Sequence, residues 1–225
     1  MKLSTKIMLL SNSAKEPSVD PILSISGLDA LFVAQNVSDF VLSGNDIQVW
    51  KDKTSNHNDI TFSGVLRVFD KLNKTINIPS TSNDSNFTTP LVYNDDYSVV
   101  IYELFNYKNS ASHFTYSTSG YIGENNASSY IIINSGFLNT FDKTSYPLTV
   151  RKHFIRKLSG SLSWVRNGIT LTRLSSNSRS ISFSSLGLSG AINTGKVYAY
   201  AFFNRSISDE ECDLVKNNLD LVLNL

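Results

Sequence analysis

The chain has 225 residues, of which 41% are hydrophobic and 17% are charged, and its formal net charge is +1 at pH 7. This length suits one domain, because β-sandwiches of about 200–250 residues commonly form a single unit. Residues 151–157 hold the main local excess of basic residues, which we interpret as a solvated strand edge. Without a basic stripe or a long apolar run, neither nucleic acid nor membrane insertion is expected.

An N-terminal arm is predicted ahead of the domain. Residues 1–21 show no sustained hydrophobic periodicity and contain Pro17 and Pro21, so we expect them to lie outside the core. Residues 22–225 are expected to form one continuous domain. The apolar run at residues 7–10 is too short for the core of a signal peptide. This predicts synthesis in the cytoplasm without an export signal.

Alternation of apolar and polar residues predicts β-strands through most of the domain. The strongest segment, residues 97–105, is rich in β-branched and aromatic residues. Asn167 and Gly168 separate two further segments, and both tolerate the positive φ angles of a tight hairpin turn. The absence of helical periodicity between strands favours a sandwich of antiparallel sheets over a βαβ arrangement. Further strands are predicted over residues 65–69, 113–118, 129–134, 148–156, 161–166, 169–174 and 196–203.

A helix is predicted at the end of the sequence. Ser208 can cap it, and Glu211 three residues later completes a capping box. Ile207 and Cys212 are placed as a hydrophobic staple, and we interpret Cys212 as a small buried hydrophobic residue instead of a reactive thiol. As the only cysteine, it excludes an intrachain disulfide. This fits either a reducing compartment or a core that needs no cross-link.

Three segments, taken in order, resemble a known fold family. Residues 28–59 combine a strand, a glycine turn and a Trp-x-Asp-x-Thr-Ser-Asn-x-Asn-Asp loop, residues 162–168 form a hairpin, and residues 195–211 join a strand to a helix cap. Together they are similar to concanavalin A-like (laminin-G-like) domains of phage and bacterial surface proteins. The resemblance implies an all-β jelly-roll sandwich of two antiparallel sheets with a short C-terminal helix. The matching positions are Trp50, Asp52, Asn56, Asn58, Asn167, Gly168, Asn204, Ser208 and Glu211.

Two roles are open for the loop after Trp50. In the favoured one, Trp50 anchors the loop in the core, and Asp52, Asn56 and Asn58 hold an irregular turn by hydrogen bonds. The alternative is a calcium site, because many relatives carry calcium and Asp52 and Asp59 offer the oxygen ligands that it takes. We expect no cofactor and keep calcium as the alternative.

The sequence favours binding over catalysis. Glucanases that share this fold use a Glu-x-Asp-x-x-Glu strand, which this sequence lacks. Glu103 and Glu124 could meet in space, although a glutamate on an alternating strand more often faces outward. His57, His113 and His153 lack the spacing of metal ligands. We therefore predict that the chain is not an enzyme, and a glycan-cleaving hydrolase is the least favoured alternative.

The resemblance and the arm predict a phage virion surface protein, as a capsid decoration, tail or fibre component. Residues 1–21 would contact other virion proteins, and a homo-oligomer is expected. The expected task is adhesion to host or environmental glycans, and a stand-alone carbohydrate-binding module is the alternative. A purely structural sandwich is also compatible with the sequence. For each candidate sugar-binding aromatic taken singly, a place in the core is the favoured interpretation, because aromatic side chains bury well. The candidates are Tyr102, Tyr107, Tyr116, Tyr121, Tyr130 and Trp164.

Overall fold

The structure is a computed structural model that describes most of the chain after the first sixteen residues. Residues 1–16 of the predicted arm lie outside the described part, as do residues 65 and 66 of the first predicted strand. The described residues are 17–63, 67–79, 85–109, 111–117, 120–125, 130–133, 136–138, 150–159, 161–175, 181–183 and 191–225.

Strands make up most of the described residues. Those before residue 110 are Leu28–Val33 (β1), Phe40–Ser43 (β2), Asp46–Trp50 (β3), Ile60–Phe62 (β4), Val68–Asp70 (β5), Thr75–Pro79 (β6), Ser85–Phe87 (β7), Leu91–Tyr93 (β8) and Tyr97–Asn109 (β9). Those after it are Ala111–Ser117 (β10), Gly120–Asn125 (β11), Tyr130–Ile133 (β12), Gly136–Leu138 (β13), Arg151–Leu158 (β14), Ser161–Arg166 (β15), Ile169–Ser175 (β16), Ile181–Phe183 (β17) and Ala191–Phe203 (β18). The helices are Asp20–Leu23 (α1) and Asp209–Leu223 (α2), and a 3-10 turn spans Val37–Asp39.

The central feature is a large antiparallel sheet in the order β16-β15-β14-β9-β18-β6-β5, with β1 also paired to β18. A second antiparallel sheet has the order β2-β3-β4-β7. Strands β10 to β13 form a further sheet, and β8 pairs with β17. The predicted all-β class with antiparallel sheets and a C-terminal helix is confirmed.

The large sheet is buried on both faces. On the inner face, Val99 and Ile101 share a core with Phe40, Trp50 and other side chains of the second sheet, which makes the fold a β-sandwich. On the outer face, Val100 packs in a second core beneath α1 and α2. A strand buried on both faces is apolar nearly throughout, which accounts for the composition of residues 97–102.

The N-terminal boundary of the domain lies earlier than predicted. Val19 and Ile22 are buried in the outer core together with Val215 and Leu219 of α2. Residues 19–21 therefore belong to the folded domain and not to an arm. Among the residues that the structure describes, neither helix is long and apolar enough to cross a membrane.

The predicted hairpin turn between β15 and β16 is confirmed. Asn167 and Gly168 have φ angles of 49° and 81°, the left-handed values that this tight turn demands. The turn is also tied to β14, because the Lys152 N–H donates to Asn167 Oδ1 at 2.8 Å and the Asn167 N–H donates to Lys152 O at 3.0 Å. The hairpin is thus held beside α2, where the candidate site lies.

Candidate ligand-binding groove

The loop after β3 is organised by the Asp52 carboxylate. Oδ1 accepts the N–H groups of Leu31 and Thr54 at 2.9 Å, and Oδ2 accepts the Thr54 hydroxyl at 2.7 Å and the Asn58 N–H at 3.0 Å. Trp50 is buried in the inner core, 5.5 Å from the Phe32 ring. Because each carboxylate oxygen already accepts two bonds, the geometry supports the structural role of Asp52 over the calcium role.

The other polar residues of this loop also contact the protein itself. The side-chain amides of Asn56 and Asn58 donate to the Asp29 carbonyl at 2.9 Å and 3.1 Å. Asp59 Oδ1 accepts the Asp52 N–H at 2.9 Å. Within the described part of the chain, no three metal-ligating side chains are grouped in a way that could hold an ion. These hydrogen bonds therefore tie the loop after β3 to strand β1.

The C-terminal motif forms the entry to α2. The Glu211 N–H donates to Ser208 Oγ at 3.2 Å, and the Ser208 N–H donates to Glu211 Oε2 at 2.8 Å, which is the predicted capping box. Arg205 donates to both oxygens of Glu211. Asn204 donates from its side-chain amide to Asp29 Oδ1 at 3.1 Å. The motif thus connects the last strand to both the helix and β1.

Among the six candidate sugar-binding aromatics, Tyr102 lies in the core, which is the position favoured for each of them singly, and it is therefore not a sugar contact. It is fully buried in the outer core beneath α2, with its hydroxyl 3.5 Å from the Lys216 carbonyl. Burial raises the pKa of the Tyr102 hydroxyl, and the neighbouring Asp220 carboxylate raises it further. A buried ring offers no surface to a sugar. The other five lie in strands, with side chains outside the described part: Tyr107 in β9, Tyr116 in β10, Tyr121 in β11, Tyr130 in β12 and Trp164 in β15.

The expectation that Glu103 faces outward is wrong. Its side chain is fully buried, and Oε1 lies 3.1 Å from His153 Nε2 and 3.5 Å from Arg151 Nη1. Glu103 shares the inner face of β9 with Val99 and Ile101, where the sandwich core excludes water. Buried carboxylates need such partners because desolvation is costly. Glu124 lies in β11, with its side chain outside the described part.

A groove lies between α2, β14 and the β15–β16 turn. It consists of two adjoining cavities of about 390 Å³ and 200 Å³, which share Lys152, Asn167 and Lys216. Val150 and Leu225 line the larger cavity. The smaller one is lined by Phe154, Arg156, Val165, Gly168, Asp209, Cys212 and Asp213 in addition to the shared residues. Strands β14 and β15 and helix α2 supply most of the lining of the smaller cavity, and the β15–β16 turn completes it.

The smaller cavity has an apolar floor. Phe154 is 7% exposed and belongs to the outer core, against which Val165 and Cys212 pack. Burial raises the pKa of the Cys212 thiol to about 11, so that the sulfur stays protonated at neutral pH. Cys212 therefore contributes apolar surface and no nucleophile, as its sequence context predicts.

Charged side chains form the rim of the groove. Lys152 Nζ lies 2.7 Å from Asp220 Oδ1, and Arg156 Nη1 lies 2.6 Å from Asp209 Oδ1. Lys216 is 43% exposed and lies 3.7 Å from Asp220. These groups can donate and accept hydrogen bonds around the apolar floor. The arrangement therefore suits a small polar ligand with an apolar face.

The groove is not evident from the sequence, in which the basic residues at 151–157 predict a solvated strand edge. Strand β14 instead lies between β9 and β15. Its basic side chains alternate, so that Arg151 and Lys157 are buried on one face while Lys152 and Arg156 line the groove on the other. Strand alternation combined with the apolar face of α2 is the signal that could have indicated a cleft.

The fold is similar to several solved structures at low sequence identity. No protein-family model and no curated protein matches the sequence. A Trypanosoma rangeli sialidase in complex with sialic acid has a TM-score of 0.58 and 9% identity, over 89% of this chain and 34% of the sialidase. A botulinum neurotoxin type C structure has a TM-score of 0.59 and 11% identity, over 90% and 53%. The binding domain of Paraclostridial Mosquitocidal Protein 1 has a TM-score of 0.56 and 13% identity, over 85% and 52%.

These similarities establish the fold. The chain spans about a third of the sialidase and about half of the two toxin chains. β-Rich domains of this architecture therefore occur both in a glycosidase chain and in toxin binding domains. Because one fold hosts many functions, the function of this chain has to be argued from its own groove.

Proposed function

We propose that this chain is a non-catalytic carbohydrate-binding domain of the concanavalin A-like class, with its saccharide site in the groove beside α2. The observation that carries the proposal is the apolar floor at Phe154 surrounded by the polar groups of Asn167, Asp213 and Lys216. A pyranose presents apolar C–H faces and a ring of hydroxyls, so it needs both kinds of contact.

The solved neighbours support a glycan as the ligand. The sialidase structure holds sialic acid, and the neurotoxin structure is described by the interaction of that toxin with two ganglioside molecules. Sialic acid and the gangliosides are ligands of those proteins. For this chain, they support a glycan as the class of ligand, and the groove supports the position at which that glycan binds.

The acidic groups of the groove favour binding without cleavage. Glycoside hydrolysis uses two carboxyl groups on either side of the scissile bond, one of them kept protonated by its environment. Asp209 and Asp213 are both exposed and lie on the same helix. Glu103 is buried in the inner core in contact with Arg151 and His153. The exposed positions of Asp209 and Asp213 suit hydrogen bonding to a sugar, whereas the Glu103 carboxylate cannot reach a ligand in the groove.

The test is a glycan-array screen of the purified chain that scores both retention of the glycan and release of free sugar, with and without EDTA. We expect saturable binding with no released sugar and no effect of EDTA. Asp213→Ala should weaken binding at least severalfold, because it removes an exposed acceptor from the groove. Asp95→Ala removes a similarly exposed aspartate between β8 and β9 and serves as the control. Equal binding by both variants contradicts the proposed site.

An aromatic platform on β10 and β11 is the competing location. Tyr116 and Tyr121 occupy directly paired register positions in these strands. If Tyr116→Ala and Tyr121→Ala abolish binding while Asp213→Ala leaves it intact, the saccharide binds at that sheet and not in the groove.

The role on a virion rests on the family resemblance and on the predicted N-terminal arm. Attachment to other virion proteins, homo-oligomerisation and a location at the virion surface stay predictions. Because Val19 and Ile22 lie in the outer core, a truncation that tests attachment should remove residues 1–16 and not residues 1–21.

A further inference from the structure

The junction of the two cavities carries a surplus of positive charge, because Lys152 and Lys216 line both of them. Lys152 Nζ lies 2.7 Å from one oxygen of the Asp220 carboxylate, and Lys216 Nζ lies 3.7 Å from the other. Two ammonium groups therefore share one carboxylate. Lys216 is the more exposed of the two, at 43% against 19%, so its ammonium group can reach a ligand in the groove.

The smaller cavity also holds two aspartates against one arginine. Arg156 lies 2.6 Å from Asp209, and Asp213 adds a second carboxylate to the same cavity. A carboxylate accepts hydrogen bonds and donates none, so these aspartates suit ligand hydroxyl groups. The groove is thus cationic where its two cavities meet, and its smaller cavity also offers acceptors for hydroxyl groups.

Asn167 supplies a neutral donor at the same junction of the two cavities. Its Oδ1 accepts the Lys152 backbone N–H at 2.8 Å, which fixes the orientation of the side-chain amide. The Nδ2 group can then donate to a ligand oxygen. Both cavities of the groove include this residue.

We propose that the groove selects an acidic saccharide, with the sugar carboxylate at Lys152 and Lys216 and the hydroxyl groups towards Asp213. This inference rests on the proposed function and specifies its ligand class. A carboxylate would form charge-assisted hydrogen bonds with the two ammonium groups, whereas a neutral sugar would leave the surplus charge unused. Because the lysines are partly exposed to solvent, the preference for the charged form is about fivefold.

The experiment compares each acid with its own methyl ester, which differs by one charge. The probes are glucuronate, galacturonate and N-acetylneuraminate, titrated into the full chain by calorimetry or ligand-observed NMR at low ionic strength. We expect at least one acid to bind about fivefold more tightly than its ester, and the ratio to fall as salt screens the charges. In Lys216→Gln the ratio should fall to about one.

Lys71→Gln is the matched control. Lys71 is an exposed lysine in the turn between β5 and β6, at the opposite end of the large sheet from β15 and β16. Lys71→Gln should leave the ratio of acid to ester affinity unchanged. An equal fall of this ratio in Lys71→Gln and Lys216→Gln would show a general charge effect and overturn the inference. If acid and ester bind equally, the acidic preference is wrong while the proposed function stands. If neither these probes nor any glycan on the array binds, the proposed function falls as well.

Discussion

Arg205 and Glu211 form a two-point ion pair that joins the end of β18 to the first turn of α2. Arg205 Nη1 lies 2.8 Å from Glu211 Oε2, and Nη2 contacts the other oxygen. Glu211 also accepts the Ser208 N–H in the capping box. Since α2 covers the outer face of the large sheet and one side of the groove, this pair helps to position both.

We expect Glu211→Gln to lower the free energy of unfolding by about 1 kcal/mol. The amide can still take part in the capping box, so the loss reports mainly the ion pair with Arg205. Urea unfolding of Glu211→Gln, Arg205→Ala and the double variant measures the coupling between the two residues. A double variant whose loss equals the sum of the single losses would show that the pair contributes nothing.

The contribution of this pair should depend on pH. Hydrogen bonds from Arg205 lower the pKa of the Glu211 carboxyl group in the folded state. A carboxyl group with a lowered folded pKa adds stability above its unfolded pKa of about 4.3, and this stability is lost as the pH falls through the folded value. The difference in unfolding free energy between wild type and Glu211→Gln should therefore shrink from about pH 7 to about pH 3. A difference that stays constant would exclude an ionic origin.

Gly27 should be among the least replaceable glycines in the described residues. Its φ is +75°, and an added Cβ would lie 2.6 Å from Asn204 Oδ1. Gly44 has a similar φ of +63° with open space around it, so Gly44→Ala carries only the cost of the left-handed conformation, about 1–2 kcal/mol. We expect Gly27→Ala to lower the unfolding free energy by more than Gly44→Ala, as measured by urea denaturation. Equal losses would mean that the Asn204 side chain moves aside freely.

Local chemistry explains which features could be predicted from the sequence. The turn at Asn167 and Gly168 depends on the conformational preferences of those two residues. The cap at Ser208 and Glu211 depends on a hydrogen-bond exchange across three residues. Both are present in the structure because neither needs information from distant parts of the chain.

The remaining features depend on packing between distant segments. The sequence leaves Tyr102 open as a candidate platform, and what buries it is α2, more than a hundred residues later, which covers that face of β9. Glu103 follows an alternating pattern, but β9 lies in the middle of a sheet with both faces covered. The groove likewise needs the contact between α2 and β14. Periodicity reports alternation along a strand and not what packs on each side.

The buried Glu103 contacts predict a large loss of stability on truncation. Glu103→Ala leaves Arg151 and His153 without their shared carboxylate in the inner core, and removing one partner of a buried ion pair costs about 3–5 kcal/mol. Asp95→Ala, an exposed aspartate, should change the unfolding free energy by less than about 0.5 kcal/mol. Chemical denaturation of both variants checks the prediction. A small loss for Glu103→Ala would mean that water or a rearranged side chain takes the place of the carboxylate.

The position of α1 decides where the folded domain begins. Ile22 is fully buried against the outer core, whereas its neighbour Leu23 is 38% exposed. We expect Ile22→Ala to lower the unfolding free energy by about 2–5 kcal/mol and Leu23→Ala by less than about 1 kcal/mol, as measured by thermal or urea unfolding. Deleting residues 1–16 should leave the unfolding free energy within about 0.5 kcal/mol of wild type, because Val19 and Ile22 remain in place. If Ile22→Ala costs no more than Leu23→Ala, Ile22 does not contribute to the outer core in solution, and α1 lies outside the stable part of the domain.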